Sequence, residues 1–144
     1  MRCLSYILSL AFVVVALVSC SNAGRNVEVH DVDGCVWSGA EEFAYSNTDS
    51  LSKRDISIVV RYGKGYVADS VALRILSISP DSMVFEEPFT LYIPRVAEVR
   101  PQEQTFAYRR NVVLGTKGEY RFRLTPQHPV EGISSVGIVI DGNE

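Results

Sequence analysis

Short stretches rich in β-forming residues recur along the chain after residue 25, and helical periodicity is nearly absent there. Turn-forming residues separate these stretches, which is the pattern of an all-β domain. Residues 119–125, EYRFRLT, alternate most clearly, with Tyr120, Phe122 and Leu124 on one face and charged side chains on the other. Strands are predicted at 26–32, 41–46, 55–62, 69–78, 83–93, 104–114, 119–125 and 133–140. About eight strands at this spacing predict an antiparallel β-sandwich.

Proline and glycine refine this prediction at three places. Pro88 has no amide hydrogen to donate, so residues 83–93 are predicted to form an edge strand, or two strands broken at Glu87-Pro88. The glycine-bearing segments 63–65 and 116–118 are typical of hairpin connections between paired strands.

The N-terminus has the features of a lipoprotein signal peptide. The apolar run LSYILSLAFVVVALV follows Arg2, and it is too short and too interrupted by serine for a membrane span. Leu17-Val18-Ser19-Cys20 resembles the bacterial lipobox, in which the cysteine thiol receives a diacylglyceryl group and the chain is cut before it. Two or three acyl chains anchor a protein stably, so Cys20 is predicted to be the lipidation site.

Processing at Cys20 divides the chain into three parts. Residues 1–19 are the signal peptide, residues 20–26 a lipidated tether, and residues 27–144 the β-sandwich domain. Ser21 replaces the aspartate that commonly retains lipoproteins in the inner membrane, and no acidic run follows Cys20. We therefore expect an outer-membrane protein whose domain faces the periplasm.

Cysteine use and charge exclude several classes of protein. Of the three cysteines, Cys3 leaves with the signal peptide and Cys20 is acylated, so Cys35 has no partner for an internal disulfide. Cys35 is predicted to be a small buried hydrophobe. The net charge of −3 comes without a basic stripe, so nucleic-acid binding has no electrostatic basis.

The residues that could carry chemistry do not combine into a known arrangement. The paired carboxylates Glu41-Glu42 and Glu86-Glu87 lie on predicted strands, where adjacent side chains point to opposite faces. His30 and His128 are far apart, and their spacing to Cys35 does not match a zinc site. The sequence therefore predicts no catalytic residues, no metal and no cofactor.

A repeated tripeptide indicates a modification. Asp-Ser followed by an apolar residue occurs three times and resembles an O-glycosylation acceptor used on exported proteins of some bacteria. The candidate acceptors are Ser50, Ser70 and Ser82. Each tripeptide also fits a turn that begins at aspartate and enters a strand, so both interpretations stay open.

The order of features after the lipobox is distinctive. A turn holding Trp37 comes first, then a strand ending at Arg61 with a tyrosine-bearing loop, then an apolar strand closing on Pro80-Asp81. The last third contains Tyr108-Arg109-Arg110, Val112-Val113-Leu114, Gly118-Glu119-Tyr120-Arg121-Phe122, Pro129-Val130-Glu131-Gly132-Ile133 and Val136-Gly137-Ile138. Together they resemble the GldH family of gliding-motility-associated lipoproteins. The resemblance covers nearly all of the chain after the signal peptide. It implies a non-enzymatic envelope component, associated with gliding and its secretion apparatus, and supplies no catalytic residues.

Two functions are consistent with these observations. The first is a lipid-anchored sandwich that binds other envelope proteins through strand edges and the loops around Trp37, Tyr62–Tyr66 and Arg95–Gln104. The alternative is a glycan-binding lipoprotein. It requires an exposed cluster of the aromatic residues Trp37, Tyr62, Tyr66 and Tyr108. Tyrosine and tryptophan also half-bury readily in strands, so burial of this set would remove the basis for the alternative.

Overall fold

The computed structural model describes residues 24–95 and 100–142, which form an antiparallel β-sandwich as the sequence predicts. The predicted signal peptide and Cys20 lie outside these residues. The described ranges contain ten strands: β1 Arg25–Asp31, β2 Val36–Trp37, β3 Glu41–Asn47, β4 Lys53–Tyr62, β5 Val71–Ile78, β6 Val84–Leu91, β7 Gln102–Val113, β8 Gly118–Pro126, β9 Val130–Glu131 and β10 Ile133–Gly142. Among these residues, no helix has the length and apolar character needed to cross a membrane.

All eight predicted strands are present, with small shifts at their ends. β1 begins at Arg25, so the end of the predicted tether belongs to the first strand. On β8 the apolar side chains are buried and the charged ones exposed, as the alternation predicts. The two-residue strands β2 and β9 pair with each other and were not predicted. They are too short to produce a period in the sequence.

Two four-stranded sheets face each other. The first sheet has the order β1-β10-β4-β7 and the second the order β3-β8-β5-β6, which together give the strand order of a jelly roll. We call the end where β1 begins and β10 finishes the tether end. The connections 48–52, 79–83 and 114–117 also lie there, since every pairing is antiparallel. The opposite end, which we call the loop end, has the connections 32–40, 63–70 and 127–132.

The predicted hairpins at 63–65 and 116–118 are wrong. The first segment joins β4 to β5 and the second precedes β8 after β7, and both connections pass from one sheet to the other. Gly65 and Gly118 do adopt the positive φ angles of tight turns, 99° and 127°. Turn residues reverse the chain, but they do not decide which sheet receives the next strand.

Pro88 lies on an edge strand, as predicted. β6 is the outer strand of the second sheet and pairs only with β5 among the described strands. The strand continues through Glu87 and Pro88, so the predicted alternative of a break at that point is wrong. An edge position tolerates proline because the missing amide has no strand to bond.

Candidate functional site

The four aromatic residues predicted as a partner or glycan surface are buried. Trp37, Tyr62, Tyr66 and Tyr108 are 1%, 4%, 7% and 9% exposed. Trp37 donates from Nε1 to the carbonyl of Gly39 at 3.0 Å. These side chains belong to the hydrophobic core, so the prediction that they form a binding surface is wrong. Aromatic residues can pack in a core or form a binding surface, and these four pack in the core between the sheets.

Three of these aromatic residues pack beneath the connections of the loop end. The rings of Tyr62 and Tyr66 meet edge to face at 5.4 Å, and Trp37 pairs with Val130 across β2 and β9. Gly132 joins the surrounding loops, because its amide donates to Cys35 and its carbonyl accepts from Gly63. The loops around Trp37 and 62–66 are therefore held by the core and by one glycine. Of the predicted loop set, residues 96–99 lie outside the described ranges.

Cys35 is exposed, which contradicts its predicted burial. It ends a short 3-10 turn, Asp33–Cys35, with a φ of 54°. Trp37 occupies the inward position two residues later, so the core has no space for the cysteine. A thiol in this position faces solvent.

The candidate glycosylation serines all lie in connections. Ser50 precedes β4 and is half-buried, whereas Ser70 and Ser82 are exposed in the connections before β5 and β6. Asp49 accepts hydrogen bonds from the amides of Leu51 and Ser52, so this tripeptide forms the turn that was its alternative interpretation. Modification of the three serines stays a prediction.

A cavity of about 490 Å³ opens at the loop end between the 63–70 and 127–132 connections. Val67, Ala68 and Val130 line it together with His128 and Glu131. The described residues contain no group of three side chains suited to hold a metal ion. The cavity lacks a carboxylate hydrogen-bonded to His128 among the described contacts, so it has no paired acid and base.

His30 instead binds two carboxylates where the edges of the two sheets meet. Its Nδ1 lies 2.9 Å from Glu41 Oε2 on β3, and its Nε2 lies 3.2 Å from Glu28 Oε1 on β1. The ring stacks on Phe43 at 4.5 Å between centroids. Both ring nitrogens are occupied, so the imidazole connects the sheets and has no free nitrogen for a substrate.

The pH dependence of folding should report this cluster. The hydrogen bond to Glu41 is the largest cause that raises the pKa of His30 above its usual 6.5. The folded protein thus holds the proton to higher pH than the unfolded chain does. The resulting stability is complete below about 6.5 and is lost as the pH rises through the raised pKa. The side chain is 34% exposed, so we expect less than about 1 kcal/mol in urea titrations.

The matched variants for this titration are His30→Asn and His128→Asn. The first should remove the loss of stability above pH 6.5, and the second should leave it unchanged. A pH profile that His30→Asn does not alter would contradict a proton shared with Glu28 and Glu41.

The outer faces of the two sheets differ in chemistry. On the second sheet, Arg123 pairs with Glu42 at 2.7 Å, and Arg74 pairs with Glu86 at 2.9 Å. We call this the charged face. The first sheet presents two uncharged rows across its four strands, which we call the apolar face. Its residues are Val27, Val139, Ser57 and Ala107 in one row, and Val29, Gly137, Val59 and Thr105 in the next.

Ion pairs border the apolar face at both ends. Arg25 lies 3.5 Å from Asp141 at the tether end, and Arg61 lies 3.0 Å from Glu103 at the loop end. An uncharged centre with a polar rim is the arrangement of many protein interfaces. The apolar face is therefore an uncharged surface between two ion-pair borders.

The exposed residues of the apolar face lie on its two edge strands, β1 and β7. Val27 and Val29 are 51% and 46% exposed, whereas Val59 and Val139 are shielded by their neighbours. A Cβ on Gly137 would lie 2.7 Å from Val29 Cγ2 and 2.9 Å from Val59 Cγ1, so these valines close over the glycine. β1 pairs with β10 on one side, and no described strand pairs with it on the other.

The apolar face was missed in the sequence, although a signal was present. Residues 58–60 and 138–140 are continuously apolar instead of alternating. A continuous apolar strand indicates that both of its faces avoid water. These runs became β4 and β10, the two central strands of the first sheet.

Several solved structures are weakly similar to this chain. No protein-family model and no curated protein matches the chain. A structure of infectious bursal disease virus, Gx strain, has a TM-score of 0.42 and 11% identity, covering 84% of this chain and 33% of that one. A carbohydrate-binding module of the beta-sandwich superfamily has a TM-score of 0.41 and 13% identity, covering 86% and 56%. A mitogen derived from Yersinia pseudotuberculosis has a TM-score of 0.33 and 8% identity, covering 83% and 87%.

The chain spans about a third and just over half of the first two of these structures. Identities this low concern the overall shape alone. The protein is an antiparallel β-sandwich, and its activity has to be argued from its own surface.

Proposed function

We propose that this protein is a lipid-anchored, non-enzymatic envelope component of the GldH type that holds another envelope protein against its apolar face. The observation that carries the proposal is the contrast between the two outer faces. Ion pairs occur on all four strands of the charged face, whereas the apolar face has eight uncharged positions between two ion-pair borders. Burying such a surface against a partner is favourable because it removes apolar area from water.

The partner segment would add to β1. Val27 and Val29 are two residues apart and half exposed, so an extended segment with apolar residues at the same spacing could cover both. The open side of β1 offers backbone donors and acceptors for such a strand. The opposite edge of the second sheet is less suitable, since Pro88 removes one donor from β6.

The glycan-binding alternative has less support. It required Trp37, Tyr62, Tyr66 and Tyr108 at the surface, and all four are buried. The apolar face has aliphatic side chains and no aromatic ring among its eight positions. Sugar rings stack on aromatic faces, whereas valine and alanine fit an apolar protein segment.

The predicted anchor suits this arrangement. Acylation of Cys20 would hold the tether end at the outer membrane, with the domain in the periplasm. Arg25 begins β1 five residues after Cys20, so the apolar face would rise from the membrane beside other anchored or embedded proteins. Lipid attachment would thus confine protein and partner to the same surface.

Co-purification from the native host tests the proposal. With a tag on the C-terminus, gentle membrane extraction and crosslinking, we expect a specific envelope protein with the unchanged chain. The double variant Val27→Lys and Val29→Lys should lose it, because two charges would have to be buried in the interface. We expect at least a tenfold loss of affinity, about 1.4 kcal/mol or more.

The matched control is Val84→Lys, which places lysine on a more exposed valine of the charged face, 62% exposed on edge strand β6. It should retain the partner. Thermal unfolding checks that the variants remain folded. Retention of the partner by the double variant would contradict a role for the apolar face. If nothing specific co-purifies, a glycan array becomes the next measurement.

A further inference from the structure

Arg54 is a buried arginine whose Nε has no hydrogen-bond partner among the described residues. It lies at the start of β4, on the same side of the strand as the core residues Ile56 and Ile58. Its exposure is 8%, and its Nε has no hydrogen-bond acceptor. Burying an unpaired charge is costly, so most buried guanidinium groups bind an anion or an ion-pair partner.

Two carboxylates near Arg54 form their hydrogen bonds and ion pairs with other groups. Asp141 pairs with Arg25 at 3.5 Å, and Asp49 accepts hydrogen bonds from Leu51 and Ser52. The hydrogen bond from Ser52 is the largest cause that lowers the pKa of Asp49, and the charge of Arg54 lowers it further. The guanidinium carbon of Arg54 lies 5.7 Å from the centre of the Tyr45 ring, a contact that positions the side chain without neutralising it. Within the described residues, no carboxylate forms an ion pair with Arg54.

Arg54 lines a cavity of about 230 Å³ at the tether end. The other lining residues are Gly24, Arg25, Asn26, Tyr45 and Thr48, none of them acidic. A water molecule takes about 30 Å³ of liquid volume, so the cavity has room for a tetrahedral oxyanion with a few waters. Arg54 therefore borders an open pocket whose described lining has no carboxylate.

We propose that this cavity binds a phosphate group through the guanidinium of Arg54. The planar guanidinium donates parallel hydrogen bonds to oxyanions, and it matches phosphate geometry better than lysine does. Arg54 would supply the positive charge, because Arg25 is already paired with Asp141. The site is separate from the apolar face and does not depend on the proposed partner.

Two sources offer this chemistry. One is free phosphate or a phosphate monoester in solution, and the other is the diester head group of an anionic phospholipid. The cavity adjoins Gly24, four residues after Cys20, so lipidation would bring it to the membrane surface. Binding a head group there would fix how the domain stands on the membrane.

The test uses the full chain in uncharged detergent micelles, free of phosphate. Calorimetric titration and thermal unfolding are measured with inorganic phosphate and, separately, with glycerophosphoglycerol, the soluble head group of phosphatidylglycerol. We expect at least one of them to bind and to raise the unfolding temperature. Arg54→Met should weaken that binding roughly tenfold to a hundredfold, the loss typical of a hydrogen bond to a charged group. Arg121→Met, an exposed arginine paired with Glu119, is the matched control and should bind as the unchanged chain does.

Stability without ligand separates binding from a structural role. Arg54→Met should unfold at the same or a higher temperature than the unchanged chain, because a buried unpaired charge is removed. Stronger binding of the diester assigns the head group, and stronger binding of inorganic phosphate assigns a soluble ligand. The proposal is overturned if neither binds, if Arg54→Met binds equally well, or if acetate at matched ionic strength gives the same stabilisation.

Discussion

Gly132→Ala should unfold at much lower denaturant concentration than the unchanged chain. A Cβ at this position would lie 2.1 Å from the amide nitrogen of Tyr66 and 2.7 Å from the carbonyl carbon of Gly65. Both are backbone atoms, so no side-chain rotation relieves the contact. The φ of Gly132 is +82°, which adds strain for any residue with a Cβ. Overpacking and backbone strain together predict a loss of about 3–5 kcal/mol in the free energy of unfolding.

The consequence for the fold lies at the loop end. Gly132 donates to Cys35 at 2.8 Å and accepts from Gly63 at 2.9 Å, so displacing its backbone would break both bonds. Gly39→Ala is the control, because a Cβ there meets no atom within 4 Å. It should stay within about 0.5 kcal/mol of the unchanged chain, as surface substitutions usually do. Equal stability of the two variants would mean that the 63–66 segment can move away at little cost.

Strand positions were predictable because they depend on local patterns. The alternation of Tyr120, Phe122 and Leu124 with charged residues predicts β8. Pro88 likewise indicates an edge, because a missing amide hydrogen excludes the strand interior. The local sequence pattern does not indicate which distant segments pair. β2 pairs with β9 across almost a hundred residues, and neither strand has enough length for a period.

Side-chain burial was harder to predict than strand position. Tyr66 and Tyr92 have the same chemistry, yet one is 7% exposed and the other 75%. Tyr92 lies between the buried residues Leu91 and Ile93 and points outward, whereas Tyr66 lies in the connection between β4 and β5 and packs into the core. Cys35 shows the converse, since a small apolar side chain became exposed at a positive φ angle. Candidate surfaces built from residue type alone therefore failed here.

The apolar face and Arg54 show what the sequence contained without being recognised. The apolar stretch 58–60 of β4 indicated two faces shielded from water, and Arg54 precedes it in the same inward series. The strand was predicted at the correct place, but no role was predicted for the side chains on its outer face. An arginine at an inward position is a signal in itself, because buried charges require compensation.

Trp37→Ala is the variant that separates a structural aromatic from a binding aromatic. Trp37 is 1% exposed and packs in the core beneath the loop end, so truncation would leave a large cavity. We expect a loss of about 3–5 kcal/mol in the free energy of unfolding, measured by urea titration, and a smaller loss for Trp37→Phe. Tyr92→Ala, at a ring that is 75% exposed, should change stability by less than about 0.5 kcal/mol.

The same set of variants bears on function. If Trp37 serves the core, Trp37→Phe should keep the envelope partner, because the apolar face on the outside of the first sheet is unchanged. Substitution of Val27 and Val29 would then remove the partner, whereas substitution of the aromatic residues would not. A Trp37→Ala protein that is as stable as the unchanged chain, but does not bind its ligand, would instead support the hypothesis that the aromatic residues form a binding surface. That result would favour glycan binding, because the Trp37 ring would then contribute to binding and not to stability.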